Sequence, residues 1–188
     1  MEAIGGEDPF LGEIYAKAIV YAYQGKDISD VGKMAACVKH VAGYGAVESG
    51  RDYNTVDMSE REFRQYYLPA YKSAVKAGVE MLMMSFNILN GIPATVNKWL
   101  IQDIIRKELG FKGIIISDYG AIEETISHGY SENERQAAKN AIKAGIDIDM
   151  MSGIYANNLK SLYLEDKEIE NRVNESVLRI LTLKNKLG

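Results

Sequence analysis

Short apolar runs alternate along the chain with longer segments in which apolar residues recur at helical spacing. The apolar runs are continuous, and in 80–86 four apolar residues follow one another without a polar one between them. Continuous apolar strands are typical of a parallel sheet that is covered on both faces. The predicted strands are 34–38, 80–86, 113–117 and, more weakly, 146–150.

The segments of helical period begin and end at recognisable residues. The pattern Ser-x-x-Glu, a capping box, occurs at 59–62 and again at 131–134. Asn97 is placed to cap a third helix, and Gly110 is placed to end it. Pro69 should bend the helix that starts at 59, or end it early. The predicted helices are 11–24, 59–77, 97–110, 131–145, and two further helices of which the last covers 166–187.

This alternation of strands and helices predicts an α/β fold. Strands that alternate with helices are connected by right-handed crossovers and form a parallel sheet. Four strands are enough for a small open sheet, or for half of an eight-stranded barrel. No repeat, linker or low-complexity segment divides the chain, so we expect residues 1–188 to form a single domain.

Composition narrows the class of protein. Of the 188 residues, 47% are hydrophobic and 26% are charged, a balance typical of globular proteins and not of disordered ones. A net charge of −4 gives no basic surface for nucleic acid. No apolar run reaches the about 18 residues of a membrane span. The start of the chain has no pattern of a secretory signal, so a cytoplasmic location is expected if the chain is expressed as given, and the native compartment stays unknown.

The only cysteine, Cys37, excludes an internal disulfide and a cysteine-based zinc cage. It lies in an apolar run, which favours a small buried core residue over the alternative of a reactive thiol. No His-x-x-x-His or paired-cysteine spacing indicates a metal site, and no glycine-rich loop follows a strand to hold phosphate. The sequence therefore predicts neither a metal nor a cofactor.

Catalytic and binding residues in a parallel α/β fold lie at the carboxyl ends of the strands, because the following loops converge there. An acid, two cations and aromatic rings occupy these positions. Each also has a structural interpretation: Asp118 could cap the next helix, and His40 could be a buried core histidine. His128 is predicted to be a surface or loop-packing residue. The strand-end residues are Lys39, His40, Phe86, Asn87, Asp118, Tyr119 and Asp149.

Several motifs at these positions resemble the middle of family 3 glycoside hydrolases. The resemblance runs from about Gly6 to the C-terminus, in order and with few gaps. It implies a TIM-like (β/α)8 barrel, present here in part as roughly its later half with about four βα units. The motifs are Gly-Glu-Asp-Pro-Phe-Leu (6–11), Lys-His-Val-Ala-Gly-Tyr-Gly-Ala (39–46), Gly-Arg-Asp-Tyr-Asn-Thr (50–55), Ser-Glu-Arg-Glu-Phe-Arg-Gln-Tyr-Tyr-Leu-Pro (59–69), Met-Ser-Phe-Asn-Ile-Leu-Asn-Gly-Ile-Pro-Ala-Thr (84–95), Gly-Phe-Lys-Gly-Ile-Ile-Ile-Ser-Asp-Tyr-Gly-Ala-Ile (110–122) and Ala-Gly-Ile-Asp-Ile-Asp-Met (144–150).

The resemblance also implies roles for individual residues. Asp118 matches the catalytic nucleophile, and the pair Lys39 and His40 matches residues that bind sugar hydroxyls. Arg51 matches a further sugar-contacting arginine. Tyr119 stands where tryptophan is more usual, and either ring stacks on a pyranose. Phe86 stands where relatives often carry tyrosine, so a hydroxyl contact to the nucleophile is expected to be missing.

The implied activity is retaining hydrolysis of β-glucosides or β-xylosides through a glycosyl ester on Asp118, with a carbohydrate as the binding partner. Such enzymes also need a carboxylic acid to protonate the leaving oxygen. In the family this acid usually comes from a second domain, so the isolated chain is expected to be weak or inactive. Glu48, Glu123 and Glu124 are nearby loop carboxylates, but the resemblance assigns them no role.

Two other classes of function stay open on the sequence alone. A half-barrel could be a non-catalytic carbohydrate-binding module, or could self-associate as a homodimer through open barrel edges, since unpaired edges invite pairing. A Schiff-base lyase using Lys39 at a strand end is the second alternative. Borohydride trapping with a carbonyl substrate would reveal it.

Overall fold

A parallel sheet forms the centre of the computed structural model, which describes residues 7–188. Its strands are β1 (Cys37–Val41), β3 (Met81–Met84) and β6 (Ile114–Ile116), in the order β1-β3-β6. Ile148 continues the sheet through a parallel bridge to Ile116. The prediction of an α/β fold with a parallel sheet, part of a barrel, is confirmed.

Helices connect the strands and cover one face of the sheet. A second, small sheet of two-residue strands joins the loop after β1 to the loop after β3. No helix within 7–188 combines the length and apolar character needed to cross a membrane. The helices are α1 (Pro9–Gln24), α2 (Glu60–Glu62), α3 (Leu68–Lys76), α4 (Ala121–Ser127), α5 (Glu134–Ala144), α6 (Ile154–Glu165) and α7 (Lys167–Leu187), with π-helices at Phe63–Tyr67 and Trp99–Glu108; the small sheet contains β2 (Thr55–Val56), β4 (Ile88–Leu89) and β5 (Ile92–Pro93).

The two faces of the parallel sheet differ in burial. Leu82 and Ile115 are paired in register and lie fully buried beneath the helices. The opposite face contains Met81, Met83 and Ile116, which are only half-buried. The main core therefore lies between sheet and helices, while the face that would point into a barrel is partly open.

The first strand begins three residues later than predicted, at Cys37 instead of residue 34. The prediction that Cys37 is a buried core residue is wrong, because its side chain is exposed. β1 is the edge strand, and its outer side faces an apolar groove of about 440 Å³ between β1, α1 and α3. Desolvation there raises the pKa of the Cys37 thiol to about 11, which favours the thiol over the thiolate at neutral pH.

The predicted helix starts are mostly confirmed. Ser59 Oγ accepts from Glu62 N at 3.1 Å, and Asn97 Oδ1 accepts from Leu100 N at 3.1 Å. The prediction for Ser131 is wrong, since Asn133 caps α5 through Gln136 N.

Ser131 and Pro69 take other roles. Ser131 Oγ bonds the hydroxyl of Thr125 at 2.9 Å and lies buried, which removes it from the helix end. The helical segment 60–76 continues past Pro69, which stands in the first turn of α3 directly after the π-helix, where a missing N–H costs least. Pro69 does not end the segment early.

A buried carboxylate connects strand β6 of the sheet to two helices. The side chain of Asp147 is fully buried and accepts four hydrogen bonds of 2.7–2.8 Å. Its donors are Arg106 of the second π-helix, the backbone N–H of Ile115 in β6, and both Ser176 and Arg179 of α7. Burial lowers the pKa of Arg106 to about 10, which leaves it charged at neutral pH. Asp147 therefore pairs with two cations that α7 and the π-helix bring to the sheet, and Glu175 supplies a second carboxylate to Arg179.

Asp147→Ala should lower the free energy of unfolding by about 3–5 kcal/mol, because it leaves Arg106 buried without its counter-ion. Urea denaturation measures this loss. The matched control is Asp103→Ala, which breaks the exposed pair with Lys107 and should cost less than about 0.5 kcal/mol. Equal losses in the two variants would show that the buried network adds nothing beyond a surface ion pair.

Candidate active site

Asp118 lies two residues after β6, at the end of the sheet where β1 and β3 also end. Asp118 is 7% exposed. Oδ1 accepts from Tyr119 N at 2.7 Å, whereas Oδ2 lies 3.2 Å from Nε2 of His40 but has no aligned hydrogen-bond donor in the described part of the chain. α4 begins after Gly120 and has no side-chain cap, so Asp118 does not cap that helix. One carboxylate oxygen is held and the other is available.

His40 is the residue of β1 that contacts the carboxylate. Burial lowers the pKa of His40, and the negative charge of Asp118 opposes this effect, while nearby Lys39 adds to the lowering. A neutral imidazole at this position donates or accepts hydrogen bonds without cancelling the charge of Asp118. The interpretation of His40 as a buried core histidine is wrong, since its side chain is 24% exposed.

Two further predicted sugar-binding residues, both cations, lie at the surface of the chain. Lys39 and Arg51 are both exposed, and neither forms an ion pair with a described carboxylate. Lys39 and Asp118 are both close enough to affect the pKa of His40. The structure therefore brings Lys39, His40 and Asp118 together, and Arg51 lies on the loop after β1.

Aromatic rings form a wall beside the carboxylate. Phe86 packs against Tyr53 with ring centroids 4.5 Å apart and against Tyr44 at 6.2 Å, and Tyr44 lies 5.4 Å from His40. The hydroxyl of Tyr44 donates to Asp52 Oδ1, which fixes the ring in the loop. Tyr119 is 62% exposed at the mouth. This arrangement brings a carboxylate, an imidazole and aromatic faces together at the carboxyl end of the sheet.

The small sheet explains how the wall forms. β2 pairs with β4 in parallel, matching Thr55 with Ile88, and this pairing lays the loop 43–54 across the end of β3. Gly43 has a φ of 80°, in the left-handed region, which lets the chain turn away from β1 at once. Our sequence interpretation missed Tyr44, Asp52 and Tyr53, although they lie within the quoted motifs, because no periodicity places a loop residue.

A second carboxyl group lies in the same region. Burial raises the pKa of Glu124 in α4, and the negative charges of Asp118, Asp52 and Glu123 raise it further. Within residues 7–188, no group of three or more metal-binding side chains is arranged to hold a metal ion.

Comparison with known proteins shows the family of this chain. The glycosyl hydrolase family 3 N-terminal domain matches residues 5–183. The chain belongs to glycosyl hydrolase family 3. It is 41% identical over 183 residues to a periplasmic β-glucosidase of Salmonella typhimurium, covering 97% of this chain and 24% of that protein. It is 37% identical over 195 residues to a β-xylosidase of Formosa agariphila, covering 97% and 27%.

Solved structures of the family share the fold of this chain. A β-glucosidase from Listeria innocua, crystallised with gluconolactone, is 50% identical and superposes with a TM-score of 0.94 over 97% of this chain and 26% of that one. The chain thus spans about a quarter of the length of the family 3 relatives it matches. The resemblance and the barrel fold inferred from the motifs are confirmed.

Asp118→Asn should lower the pKa of His40 further, because it removes the negative charge that opposes the desolvation of the imidazolium. NMR titration of the imidazole C–H signals measures the change, and His128 serves as the internal reference because Asp118 does not act on it. Asp52→Asn, which removes a weaker contribution, should lower the pKa of His40 less. A rise in the pKa of His40 in Asp118→Asn would contradict the described geometry.

Proposed function

We propose that this chain carries the nucleophile of a retaining glycosidase that acts on β-glucosides or β-xylosides. The observation that supports this most directly is the state of Asp118. One of its oxygens is held by the Tyr119 N–H, and the other is free of aligned donors within the described residues. A carboxylate that is oriented but not fully hydrogen-bonded is suited to attack carbon.

In the proposed reaction, Oδ2 of Asp118 attacks the anomeric carbon of the bound sugar. The bond from that carbon to the leaving oxygen breaks, and the electron pair of this bond stays on the oxygen. A carboxylic acid donates a proton to the same oxygen. The product is a glycosyl ester on Asp118. Water then attacks the same carbon, gives up a proton to the conjugate base of that acid, and releases the carboxylate with the configuration of the sugar retained.

The surrounding residues have the chemistry that a neutral sugar requires. Lys39 and His40 are proposed to hydrogen-bond sugar hydroxyls next to the reacting carbon. Tyr119, which is exposed, is proposed to stack its ring on the apolar side of a pyranose. Arg51 is proposed to reach hydroxyls from the loop, and Phe86 to close the pocket wall. Phe86 carries no hydroxyl, so it does not hydrogen-bond Asp118.

We assign the general acid to no residue of this chain. Glu123 is exposed, and Glu124, whose pKa is raised by burial, lies near Tyr53 and the acidic groups around Asp118. General acid catalysis contributes about 10²–10⁴-fold. We therefore expect the isolated chain to hydrolyse substrates with poor leaving groups weakly or not at all, and to lose least with good leaving groups.

Self-association is a second candidate property, and the burial pattern favours it. The sheet face that contains Met81, Met83 and Ile116 is half-open, and the outer edge of β1 faces the apolar groove. An unpaired edge with adjoining apolar surface favours pairing with another strand. A second copy of the chain supplies such a strand, giving a homodimer that covers the open face.

An activated 2-fluoro glucoside should label Asp118, because its leaving group departs without protonation and the reagent tests only the nucleophile. Mass spectrometry of the digested protein locates the label. Asp118→Asn should abolish labelling, whereas Lys39→Ala and His40→Ala should slow it about fivefold to tenfold, the value of one hydrogen bond of about 1 kcal/mol.

Glu123→Gln is the matched control for labelling, since Glu123 is an exposed carboxyl on the adjacent helix. This variant should be labelled at the rate of the unchanged chain. A label on Glu123, Glu124 or any residue other than Asp118 would contradict the assignment of Asp118 as the nucleophile.

Analytical ultracentrifugation should detect a concentration-dependent dimer. Met83→Glu, which puts a charge on the open face, should shift the equilibrium toward monomer, while Lys107→Glu on the exposed helix surface should not. A chain that sediments as a monomer at all concentrations and unfolds cooperatively would rule out self-association.

A further inference from the structure

A tyrosine of α3 reaches the end of β1 that carries His40. Leu68, Tyr71 and Ala74 are buried and stand three residues apart, so they share one face of the helix. Tyr71 is 6% exposed, and its hydroxyl donates to the main-chain carbonyl of His40 at 2.5 Å. A buried tyrosine hydroxyl requires a hydrogen-bond partner. Here the partner belongs to the residue that contacts Asp118.

The main chain of β1 is irregular at this point. Met81 N donates to Ala36 O at 3.1 Å, and further along Ser85 N donates to Val41 O at 2.8 Å. Between these two bonds β1 advances by five residues and β3 by four, so β1 contains one extra residue. The shift in register includes His40. An extra residue of this kind, a β-bulge, interrupts the ladder and redirects the side chains beside it.

Side chains hold the β1 bulge from both sides. On the inner side, Ser85 Oγ and Asn87 Nδ2 donate to the carbonyl of Ala42, at 3.4 and 3.3 Å. On the outer side, where β1 is the edge of its sheet, the hydroxyl of Tyr71 donates to the carbonyl of His40. The inner bonds are longer than the usual length of about 2.9 Å, whereas the bond from Tyr71 is short. Of these three contacts, the bond from Tyr71 therefore restrains the bulge most closely.

We propose that Tyr71 is a positioning residue of the active site: its hydroxyl holds the main chain of the β1 bulge and thereby keeps the imidazole of His40 against Asp118. Nε2 of His40 lies 3.2 Å from Oδ2 of Asp118, the oxygen proposed to attack the sugar. A shift of the main chain by about 1 Å is enough to take such a contact out of hydrogen-bond range.

Tyr71 acts through His40 and is assigned no contact with the sugar. The hydroxyl lies beside the apolar groove between β1, α1 and α3, which Tyr71 and His40 both line. A hydrogen bond is stronger in such apolar surroundings than in water. The relevance of Tyr71 to catalysis rests on the proposed function, whereas its effect on the position of His40 does not.

Tyr71→Phe removes the hydroxyl and keeps the ring, and NMR titration of the imidazole signals in the full chain then reports the position of His40. The charged groups that act on His40 are Asp118 after β6, Lys39 in β1 and Asp52 in the following loop. Because Asp118 raises the pKa of His40, Asp118→Asn should lower it. This fall should be about half as large in the Tyr71→Phe background, since a Coulomb interaction halves when the separation doubles.

Tyr155→Phe is the matched control, because the hydroxyl of Tyr155 also donates from a helix to a main-chain carbonyl, that of Ile146, at 3.0 Å. In this background the effect of Asp118→Asn on the pKa of His40 should equal that in the unchanged chain. An undiminished effect in the Tyr71→Phe background would overturn the proposal. An effect reduced equally in both backgrounds would overturn it as well, because the cause would then be a general loosening of the fold.

Urea denaturation shows whether each variant is folded. If Tyr71→Phe does not fold, the hydroxyl proton of Tyr71 in the unchanged chain decides the question. It should exchange slowly with solvent and give an NMR cross-peak to His40. A hydroxyl proton that exchanges too fast to be observed, or that gives its cross-peaks elsewhere, would overturn the proposal.

Labelling by the 2-fluoro glucoside tests the consequence for the proposed nucleophile separately. Tyr71→Phe should slow the labelling of Asp118 about twofold to tenfold, the range expected for one hydrogen bond. Tyr71→Phe combined with His40→Ala should be no slower than His40→Ala alone, because Tyr71 acts through His40. Equal rates in a folded Tyr71→Phe and the unchanged chain, or a double variant slowed by the product of the two single effects, would contradict this route. Absence of labelling in every variant, together with the reduced effect of Asp118→Asn on His40, would reject the proposed nucleophile and support the placement of His40 by Tyr71.

Discussion

The register between β6 and the strand segment that follows α5 is the constraint on which the rest of the structure depends. Asp147 N donates to Ile115 O, and the carboxylate of Asp147 accepts from Ile115 N, both at 2.8 Å. A slip of one residue in a strand turns every side chain to the opposite face. Such a slip would expose Ile115 and redirect Asp118, three residues further along. Arg106 and the residues of α7 hold the carboxylate of Asp147 in place, so helix packing and strand register are fixed by the same group.

The electrostatic surroundings of the buried carboxylates differ between the two ends of the sheet. Around Asp147, at the end of the sheet away from Asp118, two arginines pair with the buried carboxylate, and each of its oxygens accepts two hydrogen bonds. At the upper end, Asp118 is nearly as buried but lies among Asp52, Glu124 and a histidine whose pKa is lowered. The first arrangement stabilises the fold because its charges are compensated. The second brings several acidic groups together, and within the described residues Asp118 forms no ion pair with a lysine or arginine, an arrangement typical of sites where chemistry takes place.

The sequence was sufficient for the elements whose pattern is long and regular. The parallel sheet, the caps at Ser59 and Asn97, and the convergence of His40 with Asp118 follow from apolar runs and from the rule that strand ends meet. The errors have local physical causes. Ser131 matches a capping pattern, but its hydroxyl is recruited by a buried neighbour instead. Cys37 lies in an apolar run, but burial depends on whether a strand lies at an edge, which the run does not encode.

The aromatic wall was beyond prediction for a further reason. It depends on the pairing of β2 with β4, two strands of two residues each, which are too short to leave a periodic signal. The pairing brings residues 33 positions apart in sequence into register, as in Thr55 and Ile88. Tyr44 then reaches Asp52, and Tyr53 reaches Phe86, through contacts that are individually weak. The position of the wall is therefore set by tertiary structure alone, whereas the position of Asp118 is set by the strand that precedes it. The family 3 motifs contain residues of both kinds. The structure shows which of these residues are positioned by a strand of the sheet and which are positioned by a loop.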